Sequence, residues 1–129
     1  LENKPKLKYI SNQFSRKVED FPVDKTYRIV ITNNVFKKSR RLPISKQKDI
    51  AWKNGCEMPK ALEATVLLVV TFMSSNKRLY NDNPLTYTRC SEEVADYPVV
   101  VGGFSPDGLS VSFHFDSNSN GVGGVLRKL

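Results

Sequence analysis

The chain has 129 residues, enough to bury one core but not two. It is 40% hydrophobic and 26% charged, which excludes wholesale disorder, and 20 basic side chains against 13 acidic ones give a net charge of +7. That balance favours an anionic partner, a phosphate backbone or a lipid headgroup, with a merely solubilising surface as the alternative. The charge is uneven along the chain. Residues 1–28 carry a net +3, residues 37–60 a net +6 and residues 61–129 a net −2.

In chain order, "PKLKYISNQFSRKVEDFP" (5–22) shows two periods. Leu7 and Tyr9 alternate as in a strand, whereas Ile10, Phe14 and Val18 recur at helical spacing, so a short helix after an extended arm is expected. "KTYRIVITN" (25–33) is β-branched and alternating, with Tyr27, Ile29 and Ile31 on one face, and reads as a strand. Next comes "KKSRRLPISKQK" (37–48), with six basic side chains and no acidic one. Pro43 disfavours a helix through it, because the residue before proline is pushed out of the α region. The stretch therefore reads as an exposed connection and not as a helical reader of a DNA groove. Ser45 suits the N-cap of a short helix over 46–54 that Gly55 would end. Ile50 and Ala51 would face the core, Lys46, Lys48 and Lys53 the solvent, and Trp52 would pack partly beneath the sheet.

"ATVLLVVTFMSSN" (64–76) lacks alternation and is rich in β-branched residues, which predicts a strand buried on both faces, with a buried helix as the alternative. "NKRLYNDNPLTYTRC" (76–90) reads as a long loop, its turn formers interspersed with Leu79, Tyr80, Leu85 and Tyr87. Glu92 and Glu93 in "SEEVADY" suit a helix start. "YPVVVGGF" (97–104) and "LSVSFHF" (109–115) flank "SPDG", whose proline and glycine suit a type I turn, and so predict a hairpin. Leu109, Val111, Phe113 and Phe115 share one face of its second strand; Ser110, Ser112 and His114 share the other. "DSNSNGVGG" (116–124) reads as flexible. The expected fold class is α+β: a small single domain with a twisted, mainly antiparallel sheet and one or two short helices against it. The N-terminal arm or helix would cover residues 1–24 and the core 25–129.

Catalytic chemistry finds little support. His114 is the only histidine, and its strand neighbours Ser110 and Ser112 lie on the same face about 7 Å apart along the strand, too far for a nucleophile–base pair. A metal-independent ribonuclease could use one histidine, but no local feature selects its partners. Cys56 and Cys90 lack zinc-ligand spacing and leave a disulfide open. Neither Gly102–Gly103 nor "GVGG" (121–124) has the lysine or the context of a phosphate loop. No cofactor, metal or small-molecule substrate is expected, and the protein reads as a non-enzyme.

What remains is the basic cluster. Lys37, Lys38, Arg40, Arg41, Lys46, Lys48 and Lys53 could adhere to anionic lipid headgroups at about 1 kcal/mol each, or neutralise RNA phosphates without sequence readout. "KKSRR" also has the character of a nuclear-import cluster. Tyr80 and Tyr87 could stack bases, anchor their loop or dip into headgroups. No apolar run is long enough to span a bilayer, and the absence of a sequon, signal peptide or cysteine framework favours a reducing setting. The chain opens on Leu1, which leaves room for an upstream segment.

The succession "TYRIVITN", basic bend, "DIAWKNGCEM", "VVTFMSSNKR" and the hairpin "YPVVVGGFSPDGLSVSFHFD" resembles the core of a rhabdovirus matrix protein over most of residues 25–116. The resemblance implies a structural protein that associates with itself, binds a condensed nucleocapsid and attaches it to the inner face of an envelope. It would work in the virion and at the host's cytoplasmic membrane face, the import-type cluster adding the host nucleus. A loop between core strands would serve self-association or membrane contact, and its counterpart here is the stretch with Leu79, Tyr80, Leu85 and Tyr87. The chain departs from some relatives in lacking a late-domain motif, since no two of its prolines are adjacent. The alternative function is that of a small basic RNA-binding protein such as a viral silencing suppressor.

Overall fold

The computed structural model describes residues 7–10, 28–113 and 121–126, with only the backbone given at Leu7, Tyr9, Ile10 and Leu126. These residues form a small α+β domain. Its elements are β1 (Leu7–Ile10), α1 (Ile44–Lys53), β2 (Cys56–Glu57), α2 (Ala61–Ser75), β3 (Tyr87–Val94), β4 (Tyr97–Ser105), β5 (Gly108–Phe113) and β6 (Val125–Leu126). The main sheet has the order β1-β5-β4-β3, antiparallel throughout except for the parallel β1–β5 pair; β2 and β6 form a separate antiparallel pair. Part of the N-terminal arm is thus a sheet strand, and the helix expected after it falls outside the described residues.

The stretch predicted as the most buried strand is a helix. α2 runs 15 residues without glycine or proline, more than a strand usually spans. Its inner stripe is Ala61, Ala64, Leu68 and Phe72, a 3–4 spacing, all in the core. Its ends are also specified. The Lys60 amide donates to Glu63 Oε1 (2.8 Å), the Ala61 amide to Glu92 Oε1 (2.8 Å), and Asn76 closes the helix in the left-handed region at φ 60°. Tertiary packing and capping outweigh the β-branched composition.

The strand buried on both faces is β4, where Val99, Val100 and Val101 are all fully buried. The β4–β5 hairpin forms as predicted, with Ser105 opposite Gly108. Leu109 and Val111 join Val99, Val101, Phe104, Cys90 and the inner stripe of α2 in one core. Ser110, on the polar face of β5, is buried as well. His114 and Phe115 lie outside the described residues.

Three further expectations are corrected. Residues 28–33 keep the alternation, Ile29 and Ile31 being half-buried and Arg28 and Val30 exposed, but form no ladder beyond an Ile31–Val125 bridge. Glu92 and Glu93 lie in β3 and start no helix of their own; Glu92 instead caps α2 from across the fold. The "GVGG" stretch is a buried strap. Its four amides donate to the Tyr87 carbonyl, Ser39 Oγ, Thr88 Oγ1 and Thr32 Oγ1, which leaves none for a phosphate.

Candidate docking surfaces

The basic segment begins with two consecutive turns. The Ser39 amide donates to the Phe36 carbonyl (3.2 Å), closing the first around Lys37 and Lys38; the second holds Arg40 and Arg41. Lys38 and Arg41 both take left-handed backbone, at φ 62° and 61°, where glycine is the inexpensive residue. α1 follows directly. Pro43, not Ser45, occupies its N-cap position, while Gly55 follows its end at φ 76°.

Three buried polar side chains pin this exposed stretch from beneath. Ser39 Oγ donates to the Phe36 carbonyl (2.7 Å) and accepts from the Val122 amide (3.1 Å). Gln47 Nε2 donates to the Ser39 carbonyl at 2.7 Å. Arg89, on β3, donates from Nη1 to the Leu42 carbonyl and to Gln47 Oε1, both at 2.9 Å. All three are fully buried. The connection is therefore exposed in its side chains and fixed in its backbone.

Lys37, Lys38, Arg41, Lys46, Lys48 and Lys53 are exposed. Arg40 is half-buried and turned inward, donating to the Leu85 carbonyl (2.9 Å) and to Thr86 Oγ1 (2.6 Å). It is a tether first and a free cation second. Trp52, expected to pack partly beneath the sheet, is 61% exposed. Its face of α1 is the solvent face, one turn on from Lys48, because Gln47 and Ala51 take the buried face.

The aromatic-apolar stretch after α2 divides. Tyr80 is buried, donates its hydroxyl to the Thr32 carbonyl at 3.1 Å and has its pKa pushed up to about 12 by burial. Leu79 packs against the core, and Tyr87 is half-buried in β3 against Gly103, whose φ of 58° brings the backbone to its ring. Only Leu85 projects, 49% exposed. Through the Arg40 bonds to residues 85 and 86, Leu85 stands beside the basic turns.

A second surface was not anticipated. On α2, opposite the inner stripe, Leu62, Val66, Val70 and Met73 are 49, 48, 56 and 51% exposed. Once 64–76 is read as a helix, the same sequence yields both stripes; read as a strand, it hides them.

Both cysteines are free and buried. Burial, and then the charges of Glu92 and Glu63, push the Cys90 thiol well up, which favours its protonated form. Among the described residues there is no group of three or more His, Cys, Asp or Glu placed to hold a metal, and no helix long and apolar enough to cross a membrane. No protein-family model, curated protein or solved structure matches the chain.

Proposed function

We propose that the protein is a matrix-type assembly protein: it self-associates and links a nucleocapsid to an anionic membrane face through the basic turns and α1. One observation carries this reading. Lys38 and Arg41 occupy left-handed positions, each at a cost of about 1–2 kcal/mol, in a backbone anchored by Ser39, Gln47 and Arg89. A solubilising loop needs neither the strain nor the anchoring. Leu85 beside the turns and Trp52 among the lysines add an apolar edge suited to headgroups. The resemblance read from the sequence included a strand through "VVTFMSSNKR", which is part of helix α2 and the turn after it, so the proposal rests on the surface and not on the order of elements.

The double variant Lys38→Gly/Arg41→Gly tests it, because glycine relieves the backbone while removing both charges. Pelleting with phosphatidylserine–phosphatidylcholine vesicles should weaken roughly thirtyfold and decline with salt, with thermal stability undiminished. Unchanged pelleting would sink the proposal. The exposed Trp52 also suits base stacking, which favours RNA binding as the second reading. A high 260/280 absorbance ratio after purification, with no vesicle binding, would select that reading.

A further inference from the structure

We propose that α1 meets an anionic bilayer side-on, with the Trp52 indole seated at the headgroup level as the anchor of the contact. The inference rests on the membrane reading of the basic surface, and adds to it the residue that sets depth and the side of the helix that faces lipid. Buried Gln47 and Ala51 fix which side of α1 is turned to the fold. At about 100° per residue, Trp52 then falls on the outward side. Lys48, one turn earlier, lies on one flank of it, and Lys53 and Lys46 lie on the other. All four side chains are exposed, Trp52 by 61%. An indole bordered by lysines matches the layered chemistry of a bilayer surface. The ring settles where headgroups meet acyl chains, while the ammonium groups on their long stems stay among the phosphates. Asp49 is the one acidic residue of α1, and it is exposed on the same outward side.

The mounting is rigid. Gln47 donates to the Ser39 carbonyl and accepts from Arg89, so α1 reaches a surface already formed, with little left to order on contact. RNA suits this residue less well. Grooves that track a single strand offer aromatic rings in series, so that successive bases can stack. Among the described residues Trp52 is the only exposed aromatic; the other rings are buried or half-buried.

The chain has a single tryptophan, so its fluorescence reports this one site. With phosphatidylserine–phosphatidylcholine vesicles, the emission of the intact protein should move to shorter wavelength and become shielded from acrylamide. Trp52→Ala should weaken pelleting roughly tenfold, and Trp52→Tyr far less, because a phenol also favours the interface. The binding that the alanine variant keeps should vanish in about 1 M salt, where the wild type retains a part. Asp49→Asn removes the one anion from this side and should tighten binding roughly fivefold. Melting temperatures should not move, since both side chains are exposed in the fold. Pelleting with unmoved emission, or an alanine variant that pellets like the wild type at every salt concentration, would overturn the anchor and leave the basic-turn reading standing. Absence of pelleting altogether would overturn both. Emission that responds to single-stranded RNA and not to vesicles would overturn the anchor in favour of base stacking.

Discussion

Arg89 is the residue on which the basic surface turns, although it contributes nothing to that surface. Its guanidinium reaches from β3 to the Leu42 carbonyl and Gln47, so the turn and α1 share one buried donor. Arg89→Ala should cost roughly 2–4 kcal/mol in urea unfolding, because Gln47 and Leu42 are left with buried acceptors. Amide exchange should speed up over residues 37–48 in the same variant; protection unchanged there would show that the anchoring lies elsewhere. The sequence made Lys46, Lys48 and Lys53 legible as exposed, since helical phase alone places them. It did not reveal Ser39, Gln47 and Arg89, whose burial depends on partners tens of residues away. Gln47 alone left a trace, standing four residues before Ala51 on the buried phase of α1.

At the scale of elements, α2 shows why an apolar run is ambiguous. Composition argued for a strand; Glu63 near the start, Asn76 after the end and a 3–4 spacing inside argued for a helix, and these prevailed. The cap from Glu92 could not be read locally, because it lies 31 residues away. Burial raises the pKa of this carboxyl, partly offset by the amide of Ala61. A raised value means that the folded state holds the proton more tightly. Its stabilising share is therefore full below the unfolded pKa and is lost as pH rises through the folded one. Glu92→Gln keeps the acceptor for Ala61 and removes the charge. Measured by melting from mildly acid to neutral pH, it should gain on the wild type as pH rises above the usual glutamate range. Glu92→Ala, lacking the cap, should lose about 1 kcal/mol at neutral pH. A constant difference between Gln and wild type across that range would rule out the linkage.

For the whole molecule, the α+β class, the hairpin and the place of the basic bend were all legible from local pattern. The strap at 121–126 was not, because its glycines look flexible until one sees what they pack against. Its glycines permit close approach: a Cβ on Gly124 would come within 2.7 Å of Cys56 Cβ and 2.8 Å of the Phe36 ring. Gly124→Ala should accordingly destabilise by about 1–3 kcal/mol in chemical denaturation, through overpacking. A variant as stable as wild type would mean that the strap yields easily.

The strap also sets an order of events. The bond from the Val122 amide to Ser39 spans 83 residues of sequence, and that from Gly124 to Thr32 spans 92. During synthesis the basic residues at 37–41 emerge long before the residues that fix their backbone. A nascent or truncated chain thus carries the charges without the shape. The last of the anchors on this backbone, the bond from the Val122 amide to Ser39, is made only after the strap has been delivered.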